Sequence, residues 1–190
     1  MTREELIALL TDRFAEGFAE AAAARIGSDP GTFARLYDLV ASPDAALPAR
    51  VRHAVAFRGA YVVETLYFAA PERFAPFARR FCRDDFGACA DSSARRHFGK
   101  IMAHLLGHYD PGREALEAIA ECAAEWAAEP ANRPAVRIWA MEVLKRCRDR
   151  VEWIDEAWDD LTATMARDDR PSIAARLRRS WKDPGVRPGK

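Results

Sequence analysis

Apolar residues in this chain recur three and four positions apart almost from end to end, the spacing that puts side chains on one face of an α-helix. Leu6, Leu9 and Leu10 begin the pattern, and Phe14, Phe18 and Ile26 continue it past a break near Asp12. Val151, Ile154, Trp158, Leu161 and Met165 repeat it near the other end as a buried seam. Alternating β-branched runs bounded by turn residues do not occur, so the pattern predicts an all-α protein. Thr2 and Glu5 have the spacing of a capping box at the first helix.

Turn-forming stretches cut the pattern into pieces: "GSDPGT" (27–32), "SPDAALP" (42–48), "APE" (70–72), "DDFGACADSS" (84–93), "YDPG" (109–112), "EPANRP" (129–134) and "RDDRPS" (167–172). The helices between them fall into pairs. First members start at Thr32, Glu72, Gly112 and Val151, second members at Pro48, Ser93, Ala135 and Pro171. A spacing of 41 residues links Leu36 and Val40 to Phe77 and Phe81, and Phe81 to Cys122; it also links Phe57, Phe98 and Trp139 in the second members. A period of that size is the length of a two-helix solenoid unit.

The segments "VRHAVAFRGAYVV" (51–63), "ARRHFGKIMAHLL" (94–106) and "AVRIWAMEVL" (135–144) resemble the second-helix pattern of HEAT and armadillo-like repeats, with Val-Arg, then a small residue, then an aliphatic. The resemblance covers roughly residues 32–182 and is to a style of repeat. It implies a right-handed α-α superhelix of about four antiparallel helix pairs, preceded by an N-terminal capping segment over residues 1–30. Residues 1–182 are then a single domain and 183–190 a disordered tail. It also implies that first helices line the convex back and second helices the concave groove.

Charge follows the same division. The second-helix segments (50–66, 93–110, 133–150, 170–182) hold 17 basic and 4 acidic residues, and the first-helix segments (31–47, 71–91, 111–129, 151–169) hold 7 and 18. The chain is neutral only because these cancel. With about 100° per residue, and the helices aligned by the 41-residue spacing, Arg52, Arg96, Lys100, Arg137, Lys145 and Arg148 share a stripe opposite the core. Such a stripe concentrates anionic ligands. The expected partner is an acidic or phosphorylated protein segment, bound by a non-enzymatic scaffold; structural ion pairing within the fold is the alternative use of the same cations.

Nucleic acid is the other alternative, although a pI near 6.9 lacks the overall basicity of a dedicated nucleic-acid binder. Certain alkylpurine DNA glycosylases share HEAT-like architecture and use an Asp beside aromatic side chains. Asp155 and Asp159, near Trp153 and Trp158, are similar in composition but belong to a first helix. His97, His104 and His108 lie on one face of one helix, without an acid or Cys in that helix to complete a metal site. Ser92 or Ser93 reads as a helix cap. Cys82, Cys89, Cys122 and Cys147 lack C-x-x-C spacing and read as reduced, packed thiols. No catalytic residue, metal or cofactor is assigned. The charged start "MTREELIALL" and the lack of any long uncharged apolar run predict a soluble, cytoplasmic protein.

Overall fold

A computed structural model of the chain describes residues 1–27 and 29–181; the tail assigned to 183–190 lies outside them. Among the described residues all regular structure is helical: α1 (Arg3–Thr11), α2 (Phe18–Ile26), α3 (Pro30–Ala41), α4 (Ala49–Ala69), α5 (Ala75–Arg80), α6 (Ser92–Leu105), α7 (Arg113–Ala128), α8 (Pro134–Cys147), α9 (Glu152–Ala166) and α10 (Pro171–Arg179). The turn signals locate these boundaries well. Thr2 and Glu5 form the reciprocal capping box of α1, and Asp29 caps α3 through the backbone N–H groups of Gly31 and Thr32. Pro134 and Pro171 occupy the first positions of α8 and α10, where no helical N–H is needed. At α6 the cap is Asp91, whose Oδ1 accepts from the N–H groups of Ser93 and Ala94 at 2.9 Å. Ser92 and Ser93 are inside the first turn instead, so the capping role expected of a serine falls to the preceding carboxylate.

The first member of the second pair is not one regular helix. A 3₁₀ turn over Pro71–Phe74 leads into the short α5, and a π-turn over Phe81–Asp85 follows. Pro71 and Pro76 each remove a backbone donor, which prevents a single uninterrupted helix here. The π-turn carries Asp85 inward, where its Oδ2 accepts from the Tyr37 hydroxyl at 2.6 Å and from Arg80 Nε at 2.8 Å. Arg80 also reaches Asp38 on α3 and lies over the Tyr37 ring.

Helices pack in chain-neighbouring pairs, α3 on α4, α7 on α8 and α9 on α10, while α1 and α2 cover α4. Helices α4, α6, α8 and α10 also lie side by side in one row. His53 meets Asp91, Glu64 meets Lys100 and Tyr67 meets His104, so α4 and α6 run parallel. The core is continuous through the stack, from Leu6 and Leu10 through Tyr37, Phe74, Phe81, Phe98 and Trp126 to Leu144, Ile154, Trp158 and Trp181. Two crossings bring a glycine close against the neighbouring helix, that of Gly59 more tightly than that of Gly99. A Cβ on Gly59 of α4 would fall 2.4 Å from Val40 Cγ2 of α3, and one on Gly99 of α6 would fall 3.0 Å from Trp139 Cβ of α8.

Burial along the second helices departs at particular residues from what the common register predicts. Phe98 is buried, whereas Phe57 and Trp139 are half-buried. Arg137, expected opposite the core, is 5% exposed.

Candidate functional site

Each cation of the expected stripe can now be placed. Arg52 Nη1 donates to the carbonyls of Ala45 and Leu47 in the α3–α4 loop. Arg137 donates from Nε to the Ala127 carbonyl at 2.9 Å and from Nη1 to Asp168 at 2.6 Å. Lys145 donates to the Ser180 carbonyl at 2.7 Å. Arg148 pairs with Asp155 at 2.7 Å and lies over the Trp158 ring. Lys100 pairs with Glu64 and sits 4.8 Å from the centroid of Phe68. Arg96 is exposed and has no ion pair among the described residues.

Cations outside the stripe behave alike. Arg58 reaches the carbonyls of Leu10 and Asp12 at the end of α1, Arg73 that of Gly27, and Arg95 that of Cys89. Helix ends leave carbonyls without intrahelical partners, and long guanidinium side chains on the neighbouring helix satisfy them. Much of the charge sorting is thus architectural: second-helix cations hold loops and helix ends in place. The acids left over stay in water, as on α9, where Glu152, Asp155, Glu156, Asp159 and Asp160 are all exposed.

Cations meet an exposed aromatic at Phe14, under Arg58, whose guanidinium is bound to carbonyls at the end of α1, and at a patch on α4 and α6. Arg96, Lys100 and His104 follow one another at four-residue spacing along α6, on one face. Phe68 of α4, 39% exposed, lies beside Lys100 and edge-on to His104 at 5.1 Å. His108 stands 5.0 Å from His104, and Tyr67 Oη lies 2.8 Å from His104 Nδ1. Partial burial, then the charges of His108 and of Arg146 on α8, hold His104 below its ordinary pKa.

His97 belongs to a different environment. Its ring is fully buried, stacked 4.9 Å from Tyr61, with Nδ1 2.6 Å from Glu64 Oε2 and Nε2 without a hydrogen-bond partner among the described residues. Burial lowers its pKa and outweighs the opposing pull of Glu64. Burial alone would raise the Glu64 carboxyl, but the hydrogen bonds from His97 and Lys100 overcome it and leave the pKa lowered. His97, His104 and His108 do not converge, and among the described residues no group of three or more His, Cys, Asp or Glu is arranged to hold a metal ion.

Asp155 is engaged by Arg148, Asp159 faces solvent, and Trp158 is buried with its Nε1 donating to the Trp181 carbonyl, so neither acid stands beside an open aromatic slot. Burial raises all four cysteine thiols, to about 12 for Cys82, Cys89 and Cys147 and about 11 for Cys122. No helix among the described residues is long and apolar enough to cross a membrane. The Phe68 patch had little sequence signal: it joins residues from three helices, and only the i, i+4 spacing within α6 was visible beforehand. No family model, curated protein or solved structure matches the chain.

Proposed function

We propose that the chain is a non-enzymatic interaction module, a right-handed superhelix of HEAT-like helix pairs whose second helices present a docking face to an acidic protein segment. The row of α4, α6 and α8, with α3 packed on α4 and α7 on α8, supports the architecture. The observation that carries the function is the patch in which exposed Phe68 lies against Lys100 and His104, with Arg96 one turn away and Arg146 on the next helix. Interface energy concentrates where an aromatic anchor is ringed by polar groups. An apolar side chain of the partner rests on Phe68 while flanking carboxylates meet Arg96 and Arg146.

The internal use of so many cations favours a short acidic segment over a nucleic-acid backbone, which needs many free positive charges in register with its phosphates. Fluorescence anisotropy tests this with a labelled Glu-rich peptide carrying one Phe, beside a labelled single-stranded oligonucleotide. The peptide binds, and reversing Arg96 and Arg146 to Glu weakens it about tenfold without moving the thermal midpoint. An oligonucleotide that outcompetes the peptide, or a double reversal with no effect, removes this reading.

A further inference from the structure

A second feature lies at the opposite end of the second helices. Between the α3–α4 loop and the loop leading into α6 is a cleft of about 410 Å³, within the usual size range of small-molecule sites. Its base is apolar, formed by Val40, Ala56 and Phe98, and its polar groups are Arg52, His53 and Asp91. These polar groups are unequally committed. Asp91 is engaged at both oxygens: Oδ1 accepts from the N–H groups of Ser93 and Ala94, and Oδ2 lies 2.5 Å from His53 Nδ1. Arg52 is held in place through Nη1 by two loop carbonyls, while its Nε and Nη2 have no hydrogen-bond partner among the described residues.

The uncommitted polar capacity of the cleft is therefore a fixed guanidinium with donors to spare, with the exposed His53 ring beside it, above a hydrocarbon base. A guanidinium matches the planar fork of a carboxylate. One cation beside a paired Asp suits a single negative charge and disfavours a polyphosphate. We infer that this cleft binds a small monocarboxylate with a short hydrocarbon body, its carboxylate on Arg52 and its chain against Val40, Ala56 and Phe98. The inference is independent of the acidic-segment reading, which concerns the Phe68 end of the same helices.

Titration of the ¹⁵N-labelled protein with acetate, butyrate and hexanoate, followed by amide shifts, tests it. Shifts are expected around Arg52 and His53, with affinity rising along the series to a dissociation constant on the order of 1 mM for hexanoate. Arg52→Gln should weaken hexanoate about tenfold or more. Ala88→Phe, at the exposed rim of the cleft, should block it without touching Arg52. No shifts at tens of millimolar, inorganic phosphate binding more tightly than hexanoate, or hexanoate binding equally to wild type and Ala88→Phe would each overturn it.

Discussion

Arg137 Nη1 lies 2.6 Å from Asp168 Oδ2, with both side chains under a tenth exposed, and this pair fastens α8 to the loop between α9 and α10. Arg137 also holds the last turn of α7 through the Ala127 carbonyl, so one guanidinium joins three consecutive helical elements. Removing Arg137 leaves the Ala127 carbonyl without this donor and Asp168 with Arg170 as its remaining partner, at a cost of about 1–3 kcal/mol. Arg137→Ala should therefore lower the urea midpoint strongly, whereas Arg96→Ala, on the open face of α6, should leave it nearly unchanged. Equal effects would show that Arg137 is no more structural than a surface residue.

Asp168 adds a pH dependence at the acid end. The Arg170 hydrogen bond, with help from Arg137, holds its carboxyl at about 2, below the ordinary 3.8. The unfolded chain takes up this proton first as pH falls. The contribution is complete above about pH 4 and is lost as pH falls toward 2. Equilibrium unfolding between pH 5 and about 2.5 should show a smaller loss of stability in Asp168→Asn than in the wild type.

His97 titrates nearer neutrality and in the same direction. Its folded pKa is depressed below 6.5 by burial, so the unfolded state binds the proton preferentially. The stability from a neutral buried His97 is present above pH 6.5 and declines as pH falls through the folded value. Denaturant midpoints measured from pH 7.5 down to 5 should fall for the wild type. The fall should be shallower in His97→Gln; an identical profile would count against the buried neutral imidazole.

Gly59 is expected to tolerate no methyl group. Alanine gains about 1 kcal/mol of helix propensity, but its Cβ would meet Val40 Cγ2 at 2.4 Å in a packed crossing. Overpacking of that kind costs about 1–3 kcal/mol, so Gly59→Ala should destabilise. Adding Val40→Ala should recover part of the loss, measurable as a double-mutant coupling.

Trp139 and Phe98 shared a core position in the 41-residue spacing, yet their packing differs. Phe98 is 2% exposed against Phe81, whereas Trp139 is half-buried with Arg176 over its ring. Phe98→Ala should cost about 3–5 kcal/mol and Trp139→Ala about 1–2 kcal/mol. Chemical denaturation of the two variants side by side reads the difference; equal costs would return Trp139 to the core.

Helix content and the start of nearly every helix were legible in the sequence because they depend on local causes. Apolar spacing of three and four, Asp or Thr at helix starts, and Pro or Gly at breaks act within a few residues of one another. The separation of basic from acidic helices was equally visible, as a count. What those cations do was decided in three dimensions. Whether Arg137 faces water or the Ala127 carbonyl depends on how far α8 is rotated against α6 and α7, and that rotation follows from distant packing such as the close approach of Gly99 to Trp139. A helical residue turned by about 100° moves from groove to core, so the rotation of α8 is enough to bury Arg137, a predicted binding residue, against the Ala127 carbonyl. The Phe68–Lys100–His104 patch and the Arg52 cleft likewise arise only where separate helices meet.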